Sequence, residues 1–167
     1  DGVINEDVGS PGVVGLGQFR LIAGSASAIR RLNEAGHRVV VVTNQTSIRK
    51  GLLSEEGLAA IHARMAALLA EEGARLDGLR FAAAPPRLKP APEMLLEELR
   101  CSGARPEEAV MIGDNWTDLE AAFRAGVRGI LVTSSRHGRA AQKRLEAGEC
   151  PCGQPVAAYP DLASAVD

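Results

Sequence analysis

The apolar residues of this chain fall into two patterns that alternate along the sequence. Some form short, uninterrupted runs rich in β-branched residues, typical of strands buried on both faces. Others recur every three or four positions, as on the buried side of a helix. The runs predict strands at 38–43, 79–82, 109–112 and 129–133. The periodic stretches predict helices at 25–35, 54–72, 92–100 and 116–125, followed by a polar helix and a short terminal helix near Leu162.

This alternation predicts an α/β fold in which a mainly parallel, Rossmann-like sheet is flanked by helices. We find no internal repeat and no linker, so residues 1–167 are expected to form a single domain. Hydrophobic residues make up 46% of the chain and charged residues 24%, which indicates a globular protein rather than a disordered or fibrous one.

Charge and cysteine content narrow the functional classes. The formal net charge is −2 and the sequence has no basic patch, which argues against a nucleic-acid partner. No apolar run approaches the roughly 20 residues that span a bilayer, so no membrane association is expected. The three cysteines have no disulfide-like spacing, and the sequence has no secretory signal. We therefore expect a cytoplasmic protein, or an organellar one from which a transit peptide was removed.

Polar side chains follow two of the predicted buried strands. Thr43 ends one strand and Asp114 follows another, so both are expected at the rim where open parallel sheets bind ligands. Each also has a simpler interpretation, because Thr43 suits a turn and Asp114 suits a helix N-cap. Lys89, in a proline-rich loop before a predicted helix, can reach the same rim, although a lone lysine is ordinarily a surface charge. Together, a hydroxyl, an ammonium group and carboxylates suit a phosphoryl group held with Mg²⁺.

Four motifs occur in order within residues 1–135. They are Asp-Gly-Val-Ile-Asn at 1–5, Val-Val-Thr-Asn-Gln at 41–45, Lys-Pro at 89–90 and Gly-Asp-Asn-Trp-Thr-Asp at 113–118. In this order and approximate spacing they resemble the four motifs of the haloacid-dehalogenase-like phosphatases. Asn5 and Gln45 are most similar to one branch of that family, whose members act on heptose bisphosphate or on histidinol phosphate.

The resemblance implies a role for each matched residue. Asp1 matches the acid/base residue, and its backbone carbonyl matches a ligand of Mg²⁺. Thr43 matches the hydroxyl that holds a phosphoryl oxygen, and Lys89 matches the cation that offsets charge on nucleophile and phosphate. Asp114 matches the Mg²⁺-binding carboxylate, and Asp118 a carboxylate that supports the site from behind. The positions at which this branch contacts substrate correspond to Asn5, Asn44, Gln45, Lys50 and, one place before its expected position, Arg87.

The sequence also departs from the family pattern. The family nucleophile is an aspartate two residues before Asp1, so the first central strand is expected to be truncated and the chain as given to be inactive. Heptose bisphosphate phosphatases commonly carry a Cys/His zinc loop, but residues 81–88 contain neither residue type, so no zinc is expected. Leu88 stands where a basic residue is expected before Lys89, which leaves the substrate assignment open.

The leading hypothesis is a Mg²⁺-dependent phosphomonoesterase that hydrolyses a small phosphorylated metabolite through an aspartyl-phosphate. The segments after Asn5 and after Thr43 are too short for a large cap domain, so we expect an open site on a monomer or small homo-oligomer. The alternative is a non-catalytic phosphate-binding or vestigial protein, or an inactive fragment. The 3′-phosphatase module of polynucleotide kinase has a similar Thr-Asn-Gln motif, but the acidic charge balance disfavours such a substrate.

Three further features have mainly structural interpretations. His62 lies among Ala and Leu on a predicted helix and is expected to pack there. Trp116 is also expected to pack, with lining of the pocket as the alternative. Cys150 and Cys152, with only His137 near them, do not complete the four ligands of a structural zinc site.

Overall fold

The computed structural model describes residues 1–151 and 155–167. Within these ranges the strands are β1 (Val40–Asn44), β2 (Gly78–Ala82), β3 (Val110–Gly113), β4 (Arg128–Val132) and β5 (Ala157–Tyr159). The helices are α1 (Ser25–Glu34), α2 (Thr46–Arg49), α3 (Glu55–Glu71), α4 (Glu93–Ser102), α5 (Trp116–Arg124), α6 (Arg136–Glu146) and α7 (Leu162–Val166). Short 3-10 turns are present at Leu16–Gln18 and Pro106–Glu108.

The strands pair in parallel and form two sheets. In the first sheet β1 pairs with β2, and Thr43 lies opposite Phe81. The second has the order β3–β4–β5, with Ile112 opposite Ile130 and Ile130 opposite Ala157. The predicted α/β architecture with parallel strands flanked by helices is confirmed, and the described strands form two separate sheets.

A cavity separates the two sheets. Val41 and Val42 of β1 and Met111 and Ile112 of β3 line it, and no described strand pairs with the β1 or β3 edge that borders it. As a result, every residue of β1 is only half-buried, whereas its apolar run predicted burial on both faces. Whether another strand pairs with this edge of β1 depends on tertiary structure, and the composition of β1 does not indicate it.

Helices cover both faces of the sheet that contains β1. Val41 packs into an apolar cluster formed largely by α1, α3 and α7, in which Ile29 and Leu69 are fully buried. Val42 packs into a second cluster with α4 and α5. This division follows from the strand geometry, because successive side chains point to opposite faces. Between β1 and Lys89 the described chain contains only α2, α3, β2 and connecting loops, so the expectation of no large cap is confirmed for the described residues.

The predicted helices and strands correspond to α1, α3 to α7 and β1 to β4. Two elements were missed. The chain forms the single-turn helix α2 where Asn44 to Ser47 indicated a turn. The strand β5 was missed because its three residues, Ala-Ala-Tyr, are exposed and lack a β-branched run. Cys152 lies outside the described residues, so the interpretation of the Cys150 and Cys152 pair stays a prediction.

No described helix combines the length and the apolar character needed to cross a bilayer.

Two glycines permit a matched test of packing at the start of α6. Gly57 in α3 and Gly138 in α6 each donate a backbone N–H to the serine that caps the helix. A Cβ at position 138 would lie 2.2 Å from the Val132 carbonyl oxygen, whereas one at position 57 would meet the flexible Leu53 side chain at 2.9 Å. We expect Gly138→Ala to lower the free energy of unfolding by about 1–3 kcal/mol or more. Gly57→Ala should change it by less than about 1 kcal/mol, because alanine also favours the helix.

Urea denaturation of the two variants measures this difference. Equal losses in both would contradict the close approach of α6 to the end of β4.

Candidate active site

The loop that follows Asp1 holds its carboxylate in place. Asn5 is buried, and its amide nitrogen donates a hydrogen bond to Asp1 Oδ1 at 2.5 Å. Asp1 Oδ2 accepts from the Val13 backbone N–H at 3.4 Å. The turn is closed by the Gly2 N–H, which donates to the Asn5 carbonyl at 2.7 Å. Gly2 has φ 81°, a left-handed conformation that glycine adopts without strain.

Gly2 also allows the first loop to lie directly against the residues that follow β3 and β4. A Cβ at this position would be 2.1 Å from Oδ2 of Asp114 and 2.8 Å from the Cβ of Ser135. The Ser134 hydroxyl donates to the Gly2 carbonyl at 2.5 Å. The absence of a side chain at Gly2 therefore brings Asp1 next to Asp114.

Asp118 joins the start of α5 to the proline-rich loop. Its Oδ2 accepts from the Asn115 N–H at 3.0 Å, while the Asn115 side chain accepts from Thr117, which together form a capping box. Its Oδ1 lies 2.6 Å from the Nζ of Lys89. Both side chains are buried, with exposed fractions of 6% and 10%. The carboxylate is therefore fully engaged within the protein.

Lys89 is held from three directions. Besides its ion pair with Asp118, its Nζ donates to the Val42 carbonyl at 2.8 Å. Its backbone N–H donates to Asn44 Oδ1 at 2.9 Å, and its carbonyl accepts from Asn44 Nδ2 at 3.0 Å. The Asn44 side chain thus both donates to and accepts from the Lys89 backbone, and these two hydrogen bonds fix the proline-rich loop to the carboxyl end of β1.

Thr43 and Gln45 lie at the same end of β1. The Gln45 side-chain amide donates to Thr43 Oγ1 at 3.1 Å. Both residues line the cavity between the sheets, as do Asp1, Lys89 and Asp114. The predicted catalytic and metal-binding residues are therefore brought together on one cavity wall.

Burial and neighbouring groups at the cavity change the pKa of the Asp114 carboxyl group. Burial raises the pKa of the Asp114 carboxyl, the hydrogen bond from Ser135 opposes that rise, and the neighbouring Asp118 charge adds to it. Negative charge is thus concentrated between Asp114 and Asp118, with Lys89 as the cation that offsets it.

Two predicted substrate residues lie away from the cavity wall. Lys50 is exposed just after α2, and Arg87 is exposed and forms an ion pair of 2.5 Å with Glu97 of α4. Neither lines the cavity. Asn5 and Asn44, also predicted to contact substrate, have hydrogen-bond partners within the protein, and a role toward substrate stays a prediction for all four.

Trp116 and His62 have contacts that agree with packing. The guanidinium group of Arg144 lies 3.6 Å from the centre of the Trp116 ring, which places Trp116 against α6. The His62 ring is tilted against Phe81 with 6.2 Å between ring centroids, and burial lowers its pKa. His62 also lines the cavity from the α3 side.

Ser134 and Ser135 were missed by the sequence analysis. They lie just beyond β4, after Thr133, and the Ser135 hydroxyl contacts Asp114 at 2.5 Å. The rule that pointed to Thr43 and Asp114, polar residues at the carboxyl end of a parallel strand, applies equally here. Applied to β4, it would have found both serines.

The donor set fits Mg²⁺. This ion prefers oxygen ligands and usually takes one or two carboxylates, with water and phosphate completing its coordination. Asp114 is a half-buried carboxylate beside a second negative charge, so a cation would relieve the cost of its partial burial. Among the described residues, no cluster of three or more His, Cys, Asp or Glu side chains is suited to a metal. A Mg²⁺ site with one or two protein carboxylates agrees both with the preference of this ion and with the lack of a larger cluster among the described residues. The absence of zinc stays a prediction.

Comparison with known proteins identifies relatives over most of the chain. The family described as HAD-hydrolase-like matches residues 87–165. The D-glycero-β-D-manno-heptose-1,7-bisphosphate 7-phosphatase of Rhodopseudomonas palustris is 35% identical over 77% of this chain and 77% of its own length. The D-glycero-D-manno-heptose-1,7-bisphosphate 7-phosphatase of Thermosynechococcus vestitus is 33% identical over 100% of this chain and 90% of its own length.

Solved structures give the same relationship. The D,D-heptose 1,7-bisphosphate phosphatase of B. bronchiseptica, crystallised with magnesium and phosphate, superposes with a TM-score of 0.87. It is 32% identical, and the match covers 99% of this chain and 92% of that protein. By sequence and by fold, this chain belongs to the haloacid-dehalogenase-like (HAD) hydrolase family, and its relatives there are phosphatases.

Proposed function

We propose that this protein is a Mg²⁺-dependent phosphomonoesterase that hydrolyses a small phosphorylated sugar. The observation that carries the proposal is the meeting of Asp1, Thr43, Lys89 and Asp114 at the wall of one cavity. These residues come from the first loop, the end of β1, the proline-rich loop and the end of β3, and the fold alone brings them together. The names of the relatives support the substrate class.

The attacking group in this proposal is an aspartate carboxylate two residues before Asp1. The cavity between β1 and β3 supports it, because an extended segment there would find an unpaired parallel edge on each side. The apolar lining by Val41 and Ile112 suits the side chains of a buried central strand. The carboxyl end of such a strand would lead directly into Asp1.

Hydrolysis proceeds in two displacements. The upstream aspartate attacks phosphorus while the Asp1 carboxylic acid gives its proton to the leaving sugar oxygen, which forms an aspartyl-phosphate. The Asp1 carboxylate then takes a proton from water, which attacks phosphorus and releases inorganic phosphate and the aspartate. The hydrogen bond from Asn5 to Asp1 Oδ1 supports this role, since it fixes the carboxyl group that moves the proton.

The remaining residues stabilise the charge of the phosphoryl group. Thr43 holds a phosphoryl oxygen through its hydroxyl, and the Gln45 amide orients that hydroxyl. Lys89 offsets negative charge, and its position is fixed by Val42, Asn44 and Asp118. The Asp1 carbonyl and the Asp114 carboxylate would hold Mg²⁺, which would supply a Lewis acid for the phosphoryl oxygens. A pre-arranged set of charges of this kind lowers the barrier without reorganisation.

The substrate we favour is a heptose 1,7-bisphosphate, because several relatives carry that activity in their names. Asn5 and Gln45 line the cavity and Asn44 holds the loop that carries Lys89, while the exposed Lys50 and Arg87 are cations available for a second anionic group outside the cavity. Arg87 would first have to leave Glu97. Histidinol phosphate, which has no second phosphate, is the competing substrate.

The activity is tested with two forms of the protein: residues 1–167, and the same chain preceded by an apolar strand that ends in Asp-Xaa. We expect the extended form to release phosphate from heptose 1,7-bisphosphate in the presence of Mg²⁺ and to lose this activity with a chelator. Asp1→Asn in the extended form should lower kcat by at least about 100-fold, the usual contribution of a general acid or base. Asp161→Asn, which alters the cap of α7 and does not line the cavity, serves as the control.

Failure of both forms on heptose and histidinol phosphates would overturn the proposal. Phosphate binding without turnover would instead indicate a non-catalytic phosphate-binding protein.

Substitution of Lys89 should affect stability as well as activity. Lys89→Met leaves the Asp118 carboxylate buried without its cation, so the free energy of unfolding is expected to fall by about 3–5 kcal/mol. Arg105→Met, which breaks exposed ion pairs with Glu107 and Glu108, should cost less than about 1 kcal/mol. Chemical denaturation at neutral pH distinguishes them, and similar losses in both would refute the buried pair.

A further inference from the structure

Ser135 has a contact that a helix-capping serine does not require. Its side chain lies at the start of α6, is 1% exposed, and accepts a hydrogen bond from the Gly138 N–H at 2.9 Å. This is ordinary N-capping. The same hydroxyl also lies 2.5 Å from Oδ2 of Asp114, which follows a different strand.

The direction of both hydrogen bonds is fixed by the chemistry of the groups. The Gly138 N–H can only donate, so the Ser135 oxygen accepts there. An ionised carboxylate can only accept, so the single hydroxyl proton points at Asp114. The backbone of α6 thus orients a donor toward one oxygen of Asp114. Among the described residues no hydrogen bond reaches Oδ1, which leaves that oxygen free to meet a cation.

The preceding residue reinforces this arrangement. Ser134 donates to the Gly2 carbonyl at 2.5 Å, and Gly2 in turn passes so close to Asp114 that no Cβ fits between them. Two consecutive serines after β4 therefore fix the Asp1–Gly2 backbone and the Asp114 carboxylate, the two proposed sources of metal ligands, relative to each other.

We propose that Ser135 is a positioning residue for Mg²⁺ binding: its hydroxyl, oriented by the first turn of α6, fixes the Asp114 carboxylate so that Oδ1 faces the cation. The inference rests on the proposed function, because it takes Asp114 as the ligand of Mg²⁺. Capping of α6 alone does not account for the contact, since Ser54 caps α3 with the same geometry and its carboxylate partner, Glu56, lies in the first turn of the same helix.

Ser54 therefore provides a matched control. Both serines accept from the N–H of the glycine three residues later, at 3.0 Å for Ser54 and 2.9 Å for Ser135. Ser54→Ala removes a cap and a hydrogen bond to Glu56 within the first turn of the same helix. Ser135→Ala removes a cap together with the donor to Asp114, and Ser135→Thr restores both.

The measurement is the affinity for Mg²⁺ by titration calorimetry, on the chain extended by its nucleophile strand. We expect Ser135→Ala to bind Mg²⁺ about 10–100-fold more weakly, as is typical when a group that orients a metal ligand is lost. Ser54→Ala should bind Mg²⁺ as the unaltered chain does, and Ser135→Thr should bind within about 3-fold of it. If Ser135→Ala does not fold, Ser135→Cys keeps a similar volume with a weaker donor and should show the same direction of change.

Unchanged affinity in Ser135→Ala or Ser135→Cys would overturn the inference, and so would a lack of Mg²⁺ binding by the unaltered chain. The proposed function is tested separately, by measuring phosphate release. Mg²⁺ binding that depends on Ser135 without any phosphate release would uphold the positioning role and reject the phosphatase.

Discussion

The buried ion pair between Lys89 and Asp118 is the contact on which the site depends. Each charge loses water on burial, and their attraction offsets that loss only if their other hydrogen-bonding positions are also filled. Here Lys89 donates to the Val42 carbonyl, and Asp118 accepts from Asn115 at the start of α5. This one electrostatic contact thereby holds β1, the proline-rich loop and α5 together. It also fixes the position of Asp114, because Asp114 lies between β3 and α5.

The sequence was informative wherever a local rule determines the structure. Apolar runs predicted β1 to β4, and the carboxyl-end rule placed Thr43 and Asp114 on a common rim, as the cavity lining confirms. Such local rules do not predict the hydrogen-bond partners of polar side chains. Asn44 lies at a position matched to substrate contact, yet it clamps the backbone of Lys89, 45 residues later. A motif specifies where a residue is on a strand, whereas its hydrogen-bond partner depends on which distant loop packs there.

The same limit explains why the two serines after β4 were missed. It also explains why the valine run of β1 did not predict that the strands form two separate sheets. Ser134 and Ser135 read as ordinary turn residues, and their importance arises from Gly2 and Asp114, which are far away in sequence. Likewise, the valine run of β1 predicts a strand but not whether a neighbour covers each edge. The half-burial of β1 follows from its uncovered edge, which the expected truncation of the first central strand indicated but the valine run did not.

The two edges that border the cavity have a further consequence for how the chain folds. Natural sheets often protect open edges with charged side chains or proline. The sequences of β1 (Val-Val-Val-Thr-Asn) and β3 (Val-Met-Ile-Gly) contain neither, so their protection would depend on the extended segment proposed between them. Until that segment has paired with both strands, two uncharged β-edges are open to other chains at the same moment. Self-association should therefore compete with folding, and dilute refolding should give the greater yield of monomeric protein.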